Sequence, residues 1–462
     1  MDAPPRPPSS KRLVLGVAAV LLLNLLLLLL VQHYWHGDFP FQDEWGYLAR
    51  LRQEPQSGFG HYLFDPYYVY YGPVLFFFWY LAYAWTHLDI VAIRYTGACM
   101  SVLVAALLAA MLYRRASLRG RPLLLLLVYA VFAVCSLNHF MTYYQSIQAL
   151  VQPFSFGVVL CAMWAGEKTL EGRRVLLWCA LCIALALIAT GVYAPGLAVL
   201  PALAAAQILL LRRLTPASVL LGIVGLLLIV FYVSSAHGLA HANQRPSASA
   251  ADLLQAGKMW VGLTGNALFS PHTPRLTLLT YGAGLLLLAA QLCGFGYALR
   301  QPPEQHRRLF IPVALTLYNN LVILEIIGTR LHTTESDLAS SFTARYTILA
   351  LAGPVSVLFY AAMLGDLVTS LRRWAVAAFL AMALGTLAAD TMILVVLPHY
   401  AQVLARVRTQ LLSLQGDPNP FQQTQMMLTP AMEPLVYPGK LYLQQEHLAL
   451  YRGDVAPPSA DP

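Results

Sequence analysis

The sequence predicts an all-α polytopic membrane protein. It has about 11 transmembrane helices and one further helix that enters or lies along the membrane without crossing it. Three observations carry this reading. The chain of 462 residues is 58% hydrophobic and only 11% charged, with a mean hydropathy of +0.62. Apolar runs recur from end to end, most of them close to the ~20 residues that a helix needs to cross a bilayer. The basic residues fall in short clusters on alternate loops between those runs. A formal net charge of +8 distributed in this way reports membrane topology and not nucleic-acid binding.

The runs lie at about 13–31, 73–86, 90–112, 122–138, 151–165, 175–190, 197–211, 217–236, 276–298, 309–328, 346–370 and 375–398. The first follows Lys11 and Arg12 and is too long for the apolar region of a signal peptide. The residues after it, Gln32-His33-Tyr34-Trp35-His36, do not resemble a cleavage site. It reads as a retained span with a cytoplasmic N-terminus. The run at 73–86 is short, opens with Gly72-Pro73, and is rich in aromatic residues, Phe76 to Tyr80 with Tyr83 and Trp85. Such belts belong at the membrane interface.

Charge decides whether 73–86 crosses. If it does not, the loops 113–121, 166–174, 211–216, 299–308 and 371–374 lie inside. They carry Arg114, Arg115, Arg119, Arg121, Lys168, Arg173, Arg174, Arg212, Arg213, Arg300, Arg307, Arg308, Arg372 and Arg373. The outer loops, the tail aside, then hold fewer: Arg50, Arg52, Arg245, Lys258, Arg275 and Arg330, with Arg345 at the edge of a late span. A crossing at 73–86 would turn every basic cluster outward, against the positive-inside rule. The expected organisation is an integral domain over 1–398, with its first outer loop at 32–89, and a short outer tail at 399–462 holding an amphipathic helix near 400–415. No repeat of fixed period occurs. The six cysteines all fall within predicted spans, and Cys179 and Cys182 read as helix packing.

Against this charge-poor background, Asp43 and Glu44 stand side by side just outside the first span, in Phe41-Gln42-Asp43-Glu44-Trp45. A carboxylate here can take a proton from an attacking hydroxyl or hold a divalent cation. It can equally be a solvated loop pair or the cap of a helix starting near Trp45. The second outer loop offers His139, Tyr143, Tyr144, Gln145, Gln148 and Gln152, which suit sugar hydroxyls or ordinary helix ends. Arg345 opens a late span, and Arg330 and His332 open the loop before it. Guanidinium groups at that level fit a lipid phosphate, or snorkel, or pair with Glu335 or Asp337. Lys258 and His272 are weaker candidates of the same kind. Arg94 sits just inside the second span with Asp89 nearby. Glu325 and Asp390 lie within late spans, where an acid serves either an ion pathway or a hydrogen bond in the bundle. No nucleotide-binding loop, zinc-protease helix or serine-hydrolase elbow occurs.

The segments FQDEWGYLAR at 41–50 and 72–115, a Pro-aromatic helix followed by an Arg-bearing span ending in Arg114-Arg115, resemble the GT-C superfamily of membrane glycosyltransferases. The likeness is to bacterial enzymes of the protein-mannosyltransferase and aminoarabinose-transferase kind, and it covers about residues 10–120. Beyond that, only the alternating architecture agrees. Bacterial membrane proteins with a DEW motif, a Gln-rich second outer loop, an ARY after the late outer loop and a C-terminal YP are also similar. Here these are Asp43-Glu44-Trp45, Gln145/Gln148/Gln152, Ala344-Arg345-Tyr346 and Tyr437-Pro438.

The resemblance implies a polyprenyl-phosphate sugar donor, a glycan, lipid or protein acceptor, and a site at the outer face of the bacterial inner membrane. It implies Asp43 or Glu44 as the base and Arg345, with Arg330 and His332, on the donor phosphate. Gln145, Gln148 and Tyr144 would contact sugar or acceptor. The second outer loop departs from the family in lacking an acid between Asn138 and Gln152. No cofactor is therefore fixed, and a divalent cation stays open. A transporter or lipid flippase, and a non-catalytic subunit of a polysaccharide assembly complex, are the competing expectations.

Overall fold

The computed structural model describes residues 10–34, 37–41, 43–65, 72–139, 143, 145–234, 250–269, 277–330, 348–363, 369–419, 422 and 433–451. Among these the regular structure is helical, with no strand. A leucine-rich helix α1 (Ser10–Tyr34) leads to three short helices, α2 (Glu44–Ser57), α3 (Phe59–Phe64) and α4 (Pro73–Thr86). Then follow α5 (Ile90–Arg115), α6 (Arg121–Cys135), α7 (Ser146–Thr169), α8 (Val175–Val192), α9 (Val199–Leu211) and α10 (Pro216–Ser234). The remainder is α11 (Ala250–Asn266), α12 (Thr277–Arg300), α13 (Pro303–Arg330), α14 (Ala352–Ala362), α15 (Thr369–Ser413) and α16 (Glu433–Gln445).

Among the described residues, ten helices are long and apolar enough to cross a membrane. They are α1, α5 to α10, α12, α13 and the part of α15 from Met382 onward. The protein is thus an all-α, multi-pass membrane protein. Helices α4 and α14 are apolar but shorter. The predicted run at 346–370 corresponds in part to α14, which a 3-10 turn at Leu349–Leu351 precedes.

The predicted span at 375–398 and the amphipathic stretch near 400–415 form one continuous helix of 45 residues, with Pro398 inside it. A proline removes a single N–H and crowds one preceding carbonyl, so tertiary packing can carry a helix past it. Here Leu404, Val407 and Leu411 recur at helical spacing beyond Pro398, and all three are buried. The boundary expected at 398–399 falls inside this helix.

Contacts sort the loops into two groups. At one end of the bundle, Arg115 pairs with Glu167, and Arg307 bridges Glu167 and Glu171. Lys168 pairs with Glu171 at 2.7 Å, Arg212 reaches the Leu299 carbonyl at 3.0 Å, and the Ser117 amide meets the Ala362 carbonyl at 3.0 Å. These are the loops rich in arginine. At the other end, Tyr95 of α5 lies 3.4 Å from His33 of α1. There Asn138 donates to the Asn266 carbonyl at 2.9 Å, and Gly191 of α8 packs against Val74 of α4. The acid-bearing segment after α1 belongs to this second end.

The C-terminal part folds back onto that segment. Arg408 of α15 grips Asp38 with two nitrogens at 2.9–3.1 Å. Phe39, Phe41 and Trp45 line one small cavity together with Val407, Leu411 and Val436. Gly439 lies so close to the Trp45 ring that a Cβ there would sit 3.0 Å from it. Lys440 is buried and donates to the carbonyls of Leu412 and Leu414, closing the C-terminal end of α15. The Ala449 amide meets the His87 carbonyl at 3.1 Å.

Candidate active site at the acidic pair

Asp43 and Glu44 are adjacent in sequence but occupy different environments. Asp43 takes the N-cap position of α2. Its carbonyl accepts from Gly46 at 3.0 Å and Tyr47 at 3.2 Å, which starts the helix through the backbone. Its side chain makes no capping hydrogen bond and is half-buried. The helix expected to start near Trp45 is there, but the Asp43 carboxylate does not cap it.

Glu44 is fully buried. Its Oε2 accepts the Phe41 amide at 2.8 Å, which folds the loop back on itself. Its Oε1 accepts the Ser146 hydroxyl at 2.6 Å and the Ile147 amide at 3.0 Å. Ser146 and Ile147 begin α7, so a carboxylate from α2 caps another helix at its positive end. The Arg94 guanidinium supplies the counter-charge and itself donates to the Gly37 carbonyl. Burial pushes the Glu44 carboxyl above its ordinary value, and the Ser146, Arg94, Ile147 and Phe41 contacts pull it down.

Beside this clamp, Tyr47 is buried with its ring edge-on to Phe76 and Trp79 of α4. Its hydroxyl accepts from Gln148 at 3.3 Å, and Gln152 donates to Gln148 at 3.1 Å. Arg50, one turn further along α2, stacks on Phe76 at 4.1 Å and donates to the Tyr62 and His61 carbonyls. The short helices α2, α3 and α4 are thus locked to one another and to α7 by polar contacts that the sequence does not announce.

The candidate residues divide accordingly. The fold brings together Asp43, Glu44, Gln145 and Gln148. Gln145 is buried at the N-cap of α7 without a side-chain cap. Tyr144, His332, His272 and Arg345 lie outside the described residues, and Arg330 is described only as the end of α13. Lys258 is exposed on α11. Asp89 caps α5 by accepting the Ala92 amide at 3.0 Å. Among the described residues, no group of three His, Cys, Asp or Glu side chains is arranged to hold a metal ion. Both Glu44 oxygens already accept protein donors, so that side chain is a poor cation ligand.

Sequence reasoning missed Ser146, the Asp38–Arg408 pair and the role of Lys440. It also left Asp390 between two readings. In the structure Asp390 accepts the Ser136 hydroxyl at 2.6 Å and the Asn138 amide at 3.2 Å. No local signal pairs these residues, which lie far apart along the chain. No protein-family model matches the chain, and comparison with curated proteins gives no match.

Proposed function

We propose that the protein is a glycosyltransferase of GT-C type in the bacterial inner membrane. In this reading it has about 11 spans, α4 lies at the interface without crossing, the N-terminus is cytoplasmic, and the arginine-poor end of the bundle faces outward. It transfers a sugar from a polyprenyl-phosphate donor to a glycan, lipid or protein acceptor.

The observation that carries this reading is the division of labour between the two acids. Glu44 is consumed in holding the loop and the start of α7. Asp43, its neighbour, has a half-buried carboxylate not spent on its helix, at the end where the first loop, the second loop and the C-terminal part converge. A carboxylate carried on a rigid support is what general-base chemistry requires.

In the mechanism, Asp43 accepts the proton of the acceptor hydroxyl as its oxygen attacks the anomeric carbon. The bond from that carbon to the donor phosphate breaks, and the leaving polyprenyl phosphate is held by Arg345 with Arg330 and His332. Gln145, Gln148 and Tyr144 face sugar or acceptor. Single displacement inverts the anomeric configuration. Surface glycans from deletion cells, and from deletion cells expressing either the wild type or Asp43→Asn, test this by mass spectrometry. A sugar lost on deletion, restored by the wild type and not by the variant supports it. Identical glycans in all strains reject it.

A further inference from the structure

Two buried carboxylates from distant elements hold the two ends of the same connection. The segment 136–147 joins α6 to α7 and carries His139, Tyr143, Tyr144 and Gln145 of the second loop, with Gln148 and Gln152 just beyond it in α7. Its far end is held by Glu44 through Ser146 and Ile147. Its near end is held by Asp390, midway along α15, which is only 8% exposed. One Asp390 oxygen accepts both the Ser136 hydroxyl at 2.6 Å and the Asn138 amide at 3.2 Å, at the 3-10 turn Leu137–His139. The Ser136 hydroxyl also lies 3.1 Å from the Asn138 amide, so the three groups form a closed triangle. One turn earlier, Thr386 of α15 meets the Tyr129 hydroxyl of α6 at 3.2 Å, which fixes the register of the two helices. From the same turn, the Asn138 side chain donates to the Asn266 carbonyl and ties the segment to α11.

An acid in a membrane-spanning helix is costly unless its oxygens are paired. Here the pairing is directed at a connecting turn, and among the described residues no further carboxylate stands within these contacts. We propose that Asp390 is a positioning residue for the reaction. It fixes the start of segment 136–147 as Glu44 fixes its end, so that the second-loop side chains meet the substrate in one arrangement. This rests on the transferase reading above. Asp390 touches neither donor nor acceptor and acts through Ser136 and Asn138. What it contributes is the hydrogen-bond acceptor, which asparagine can also supply.

The test uses the full-length protein in lipid nanodiscs with polyprenyl-phosphate mannose and polyprenyl-phosphate aminoarabinose as donor probes. Asp390→Ala, Asp390→Asn and Ser136→Ala are compared by transfer kinetics and by backbone hydrogen exchange of 136–147. In Asp390→Ala, the expected result is an increase of about tenfold or more in KM, with kcat held within about threefold. Exchange near Asn138 is faster, and Asp390→Asn lies close to the wild type. Ser136→Ala shows the same trend more weakly, and it stands in for Asp390→Ala if that variant does not accumulate. Unchanged exchange and KM in Asp390→Ala overturn the proposal. A loss of kcat with unchanged exchange also overturns it, because Asp390 would then act directly. Faster exchange in a protein whose wild type transfers no sugar from either probe sinks the role in the reaction through the transferase reading and leaves the clamp itself intact.

Discussion

Glu44 caps the helix that begins at Ser146, 102 residues further along the chain, by accepting the serine hydroxyl at 2.6 Å. The same carboxylate accepts two backbone amides and lies against Arg94. A buried, bonded charge of this kind is worth little over an apolar substitute but is costly to break.

Glu44→Ala removes the acceptor and leaves the Phe41 and Ile147 amides, the Ser146 hydroxyl and the Arg94 charge without it. We expect a loss of about 3 kcal/mol of stability, read by thermal unfolding in detergent. A variant as stable as the wild type would show that water replaces the carboxylate as acceptor.

The same residue shapes the pH dependence. Burial holds the Glu44 carboxyl above its ordinary value of 4.5. Upward from 4.5, the folded protein keeps a proton that the unfolded chain has released. Stability from this group therefore falls as the pH rises through the folded pKa. Glu44→Gln removes that contribution. As the pH rises above 4.5 and through the folded pKa, the melting temperature of the wild type should fall relative to that of the variant. Parallel curves would show that the hydrogen bonds outweigh burial.

Asp43→Asn should lower sugar transfer by about 10²–10⁴-fold, the range for a general base, with normal insertion and an unchanged melting temperature. The measurement is a purified transfer assay with a polyprenyl-phosphate sugar beside a thermal melt. Full activity in Asp43→Asn would return the pair to a purely structural role.

Asp38 and Arg408 hold the C-terminal part of the fold to the first loop in a two-pronged contact. Both side chains are about a third exposed or more, 33% and 40%, so solvent screens the pair. A double-mutant cycle with Asp38→Ala and Arg408→Ala should give a coupling of about 0.5–1 kcal/mol. A coupling near zero would assign the docking to the apolar contacts of Trp45 and Val436 alone.

Reporter fusions should place the loop at 113–121 in the cytoplasm and the chain near residue 440 outside. A reporter near 440 active only in the cytoplasm would overturn the orientation and the outer-face site with it.

Most of the long apolar helices and the position of the acidic pair were legible in the sequence, while the runs at 346–370 and 375–398 took other bounds. Each is a local property: a run of apolar side chains long enough for a bilayer, a cluster of arginines, two acids beside a helix start. Tertiary structure decided what the buried acids touch. The residue types leave Glu44 open as a base, a ligand or a cap; in the folded chain Phe41, Ser146 and Ile147 donate to its oxygens, and Ser136 and Asn138 donate to Asp390. Ser136 lies 254 residues from Asp390 in the chain, and no periodicity encodes a partner at that distance. The helix running through Pro398 was hidden for a related reason: proline is a local stop signal, and only the burial of Leu404, Val407 and Leu411 overrides it. Hydrophobic patterning acts along the chain. Buried polar groups take whichever donors the packed helices bring within about 3 Å of them.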